Sequence, residues 1–213
     1  DDTIVYPAHG AGSACGKNIS SETWSTIGAQ KRDNVFARIG DREEFVASVS
    51  EGQSTQPGYF AYDARLNSQI RAVRDHSPLQ VLSRAGVDEI TSSGAVVLDV
   101  RTPESFAAGH LPGAINVGLE GRFAEFAGSV IEPETPIVLF GETDQISEAR
   151  TRLCRIGYDH VIGSLAAGSI DMANVVGTER LTVSELKGRL REYATPVVLD
   201  VRGPGEVAEG AIE

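Results

Sequence analysis

The stretch whose reading decides the fold is "VVLDVRTPESFAAGHLPGAINV", Val96 to Val117. It opens on a continuous apolar run, turns polar at a Thr-Pro-Glu helix start, and passes through a Gly-rich turn into a second short apolar run. Continuous apolar strands, unlike alternating ones, belong to parallel sheets covered by helices on both faces. The same "VVLDVR" returns at Val197 to Arg202, an offset of 101 residues. The match extends outward: Pro103 corresponds to Pro204, Ala107 to Ala208 and Gly109 to Gly210. Upstream of the two copies, "SPLQVLSRAG" and "TVSELKGRLREYA" both space apolar residues three and four apart, as a helix does.

Around the first copy the pattern predicts helix over about Pro78 to Ala85, strand over Val96 to Val100, helix over Pro103 to Gly109, strand over Ala114 to Val117 and helix over Glu120 to Ala127. Strand over Pro136 to Phe140, helix over about Asp144 to Ile156 and strand over His160 to Ile162 complete it. The expected fold is α/β, a parallel sheet with helices on both faces, and such sheets keep their functional loops at the carboxyl ends of the strands. The second copy starts the same way and breaks off at Glu213.

Residues Asp1 to Asp75 read differently. A β-branched strand with nothing before it to pair with leads into "HGAGSACG", a Trp-containing helix-like stretch follows, and "DREE" opens a helix at Asp41 with Glu44 at the capping-box spacing. This part has too few strands for a core of its own, and both ends of the chain look cut. Three regions are therefore expected: 1–75, 76–176 and 177–213.

The chain of 213 residues has a formal charge of -11, with its Lys and Arg scattered, so a nucleic-acid partner is not expected. No apolar run approaches the roughly 18–20 residues that span a bilayer, and the start has no signal-peptide pattern, so neither a membrane nor export is expected. Cys15 and Cys154 sit far apart in unlike contexts, which favours reduced thiols in a cytoplasmic protein.

"VVLDVRTPESFAAGHLPGAINV" closely resembles the rhodanese family in its Asp-Val-Arg strand end, acidic helix start and Gly-His-Leu-Pro-Gly-Ala turn. The resemblance covers roughly Ser77 to Val176, and the second copy resembles the first part of another rhodanese unit. "VYPAHGAGSACGKNISSETWSTIG" in turn resembles the C-terminal end of a metallo-β-lactamase-fold domain of the variety fused to rhodanese units. That family includes glyoxalase II-like hydrolases and iron-dependent persulfide dioxygenases.

In active rhodaneses a strand-end loop carries a Cys that accepts and donates sulfane sulfur as a thiolate, its pKa lowered by backbone N–H groups and a helix N-terminus. Aligning "IVLFGETDQIS", Ile137 to Ser147, on that loop puts Gly141 in the Cys position, Glu142 where a basic residue is common, Asp144 where Gly is common and Ile146 where Arg is common, with Ser147 alone fitting. The resemblance thus implies a polar loop that keeps its anion-binding shape but supplies its own anions, Glu142, Asp144 or Glu148, to the helix N-terminus; a merely solvated acidic loop is the plainer alternative. Either way, no sulfur transfer is expected. Cys154, between apolar Leu153 and Ile156, reads as a small hydrophobe. Asp99 and Arg101 read as structural, tying the strand end to the next helix and turn, and His110 as a hydrogen-bonding turn residue. His76 and His160 carry no pattern.

The metallo-β-lactamase resemblance implies a metal, Fe(II) in the dioxygenase version or Zn in the hydrolase version, with most of its ligands outside this chain and no cofactor bound by the chain alone. His9 would be a ligand in the hydrolase reading and a residue beside the metal in the other, or a hydrogen-bonded structural His. Cys15, in a Gly-rich loop, could hold a sulfur substrate or be structural. The expected partners are the rest of the metallo-β-lactamase domain and low-molecular-weight or protein persulfides, with room for a homo-oligomer. The parent would be a persulfide dioxygenase or a zinc hydrolase, the rhodanese unit a structural or docking module, and the isolated chain inactive.

Overall fold

The computed structural model describes residues 1–9, 21–51, 56–71, 77–169, 175–191 and 197–211. They fall into two compact units, Asp1–Gln56 and Pro57–Glu213.

In the first unit β1 (Ile4–Val5) pairs antiparallel with β2 (Ser25–Thr26), Ile4 facing Thr26 and Val5 facing Ser25. The opening strand therefore finds a partner after it in the chain. Thr26 caps α1 (Ile27–Asp33) by accepting from the Ala29 N–H at 3.1 Å, so Trp24 stands ahead of the helix rather than in it. Asp41 caps α2 (Arg42–Ser50) in the expected way, its carboxylate accepting from the Glu44 N–H at 2.9 Å. Gly28 is the one buried residue among those described in this unit. Phe45, Val46 and Val49 of α2 all stay exposed.

The second unit is built on a parallel sheet of order β4-β3-β5-β6, with β3 at Val96–Asp99, β4 at Ile115–Asn116, β5 at Ile137–Gly141 and β6 at Val161–Ala166. Its central strands are apolar up to the Asp99 that ends β3, because their side chains have a core to enter on either face. Leu98, Ile137 and Leu139 enter one apolar cluster, with Phe123, Ala149 and Leu153 from the helices. Val97, Val138 and Phe140 enter the other, with Val87. The helices concerned are α4 (Arg84–Ser92) on the second face and α6 (Phe123–Val130) and α7 (Thr143–Arg155) on the first. The α/β fold with helices on both faces is thus as expected.

Three details differ. The helix expected from Pro78 to Ala85 is an extended segment, and α4 begins only after Ser83, whose hydroxyl accepts from the Gly86 N–H. Leu79 and Leu82 lie three apart but enter opposite clusters, as an extended chain requires, and the backbone there is used on β6: Leu82 N–H donates to Ser164 O at 2.8 Å and Ser164 N–H to Gln80 O at 2.9 Å. Helix α6 starts three residues later than expected because Leu119 and Gly121 present their carbonyls to the Arg152 guanidinium. Finally, residues 57–71, assigned from sequence to the first region, belong to the second unit. Here α3 (Phe60–Asn67) follows Tyr59, which is buried in the first core cluster.

Helix α5 (Pro103–Ala108) takes Thr102 as its cap and Pro at its first turn, as the sequence suggests. Of the second copy, α8 (Val183–Arg189) and α9 (Pro204–Ala208) form, but Val197 to Asp200 carry no strand pairing; Val197 and Leu199 are 97 % and 81 % exposed, where Leu98 of β3 is 0 %.

Candidate functional site

The carboxyl end of the sheet is where the fold would place chemistry. Strand β3 ends there on Asp99, whose carboxylate is fully buried. A buried carboxylate is tolerable only when its lone pairs are filled, and the next residues fill them. The Arg101 backbone N–H and Nε–H both donate to Asp99 Oδ1 at 3.0 Å, and Nη2 donates to Oδ2 at 2.6 Å. Arg101 Nη2 also donates to Gly109 O at 2.8 Å, and the guanidinium lies over the Phe140 ring, 4.5 Å from its centre. Asn116 locks the backbone from the far side, Nδ2 donating to Asp99 O at 2.9 Å and to Arg101 O at 3.0 Å. The backbone N–H, Nε and Nη2 donors of the arginine are thus engaged inside the protein.

The junction between β5 and α7 is shorter than the expected loop. Gly141 is still a strand residue, paired with Ala166, Glu142 is the N-cap, and helix begins at Thr143. The Glu142 N–H, which an anion in the cradle would use, donates instead to the Gln145 side chain at 3.0 Å. Gly141 is buried: a Cβ on it would stand 2.8 Å from Val100 Cγ2 and 3.2 Å from Gln145 Oε1. The expectation of a polar loop that keeps its anion-binding shape is corrected accordingly, because a one-residue connection leaves no room for one. Glu142 and Asp144 do lie in the first turn of α7, exposed, where negative charge complements the helix dipole. Glu148 sits a turn further on, 3.4 Å from Arg152. Ser147 is on the exposed face of α7 with Asp144, Thr151 and Arg155, away from the strand end.

The remaining candidates are scattered. His110 is buried, stacked on Phe106 at 3.7 Å between ring centres, with Nδ1 2.8 Å from Phe106 O. It does serve the turn, and its backbone exchanges both hydrogen bonds with Val176, at 2.9 Å each. Cys154 is half-buried on α7 and takes part in no disulfide. His160 Nδ1 lies 3.1 Å from Glu134 O. His9 is exposed, and no group of three or more His, Cys, Asp or Glu that could hold a metal gathers among the described residues, so those residues do not by themselves fit a metal centre. Cys15 and His76 lie outside the described residues. Sequence reasoning missed Gln145 and Asn116; a lone Asn inside an apolar strand was the available signal for the latter.

The comparisons fit this geometry. The Rhodanese-like domain family matches residues 84–170, and these residues are a rhodanese-like domain. A metallo-β-lactamase from Staphylococcus aureus subsp. aureus COL superposes with a TM-score of 0.58 at 25% identity, covering 76% of this chain and 44% of that one. Beside its rhodanese-like residues the chain thus has structural similarity to a metallo-β-lactamase, consistent with a fusion of the two, and it spans less than half the length of that protein. The Alr3790 protein from Anabaena sp. (25% identity, 45% of this chain, 85% of that one, TM-score 0.35) and a rhodanese with anions from E. coli (24%, 39%, 98%, 0.32) superpose too loosely to carry an argument. No curated protein matches. No helix among the described residues is long and apolar enough to cross a membrane.

Proposed function

We propose that the rhodanese-like domain is a non-catalytic structural or docking module in a metallo-β-lactamase/rhodanese fusion protein of sulfide or persulfide metabolism. The observation that carries this reading is Gly141. By the resemblance it stands where the sulfur-carrying Cys would be; it is buried, and a Cβ there would meet Val100 at 2.8 Å, closer than packed atoms adopt, and Gln145 at a tight 3.2 Å. A thiolate needs an electropositive and at least partly exposed setting, and the Glu142 N–H that would supply part of it is committed to Gln145. The test is a thiosulfate:cyanide sulfurtransferase assay on the chain and on Gly141→Cys. Neither is expected to rise above background; clear turnover by the unaltered chain rejects the reading, and turnover by Gly141→Cys alone would show that burial at Gly141 is not what bars the site.

The oxidative step belongs, in this proposal, to the metallo-β-lactamase part. A mononuclear iron held by two His and one Asp would activate oxygen there for a low-molecular-weight or protein persulfide. The likeness to a metallo-β-lactamase, joined to a domain whose relatives carry sulfane sulfur, supports that pairing. Metal analysis of a version carrying a complete metallo-β-lactamase domain tests it: one iron per chain is expected, and two zincs would favour a hydrolase with metal-bound hydroxide instead.

A further inference from the structure

We draw no further inference here: the strongest candidate, the apolar run of Val197, Val198, Leu199 and Val201 that stands exposed between α8 and α9, carries nothing because no element among the described residues shows what covers it.

Discussion

Arg101 closes on Asp99 from two positions along the chain, and Arg202 closes on Asp200 in the same geometry. In each pair the arginine's backbone N–H and Nε–H reach Oδ1 at 3.0 Å and Nη2 reaches Oδ2 at 2.6 Å. The same nitrogen then donates to the carbonyl of the eighth residue on, Gly109 at 2.8 Å or Gly210 at 2.7 Å. The first pair is bedded in a sheet and the second is not, so the clasp is a property of the local sequence. What the sheet adds is burial, and burial sets the energetic stake.

Removing one partner of the buried pair leaves the other charge uncompensated. Arg101→Ala is expected to cost about 3–5 kcal/mol, read from denaturant unfolding of the second unit. Arg101→Lys should recover little, because an ammonium cannot grip both carboxylate oxygens and Gly109 O as a planar fork does.

The exposed copy offers a titration. The Arg202 hydrogen bonds hold the Asp200 carboxyl well below the usual range, to about 2. With a depressed carboxylate, the clasp stays closed above the ordinary aspartate range and opens as the pH falls through that value. Carboxyl chemical shifts followed against pH should place Asp200 there, and Arg202→Ala should return it toward an ordinary aspartate.

At Gly141 even one methyl group is too many. Gly141→Ala should destabilise by about 1–3 kcal/mol through overpacking against Val100, measured by thermal or denaturant unfolding. Gly118, whose Cβ would meet Arg101 O at a looser 3.4 Å, is the control position and should lose less.

Tyr158 is 2 % exposed and donates to Ile131 O at 2.7 Å. Burial, with Glu132 nearby, pushes its phenol up to about 12. The raised value favours the neutral form in the folded state, so its contribution is complete below about pH 10 and is lost as pH rises toward about 12. Tyr158→Phe should cost about 1–3 kcal/mol at neutral pH by stranding the Ile131 carbonyl. It should also flatten the alkaline loss of stability between those two values.

The parts of this fold legible in the sequence are those whose cause is local. Strands β3 and β5 declare themselves by unbroken apolar runs, α5 by Thr102 and Pro103, and α2 by Asp41. The structural work of Asp99 and Arg101 could be read for the same reason. What stayed hidden depends on distant partners. Leu79 and Leu82 mimic helical spacing until Ser164 claims the backbone between them, and the packing of Tyr59 on Gly128 and of Leu66 on Gly157 joins residues that no single window contains. The one-residue junction at Glu142 was missed because Gln145, not an inserted loop, satisfies its N–H.

That junction also bounds what one exchange could do there. Strand and helix meet with a single residue, Glu142, between them, so a side chain placed at Gly141 would start 2.8 Å from Val100 and 3.2 Å from Gln145. Lifting it clear of both would take inserted residues as well as a changed one.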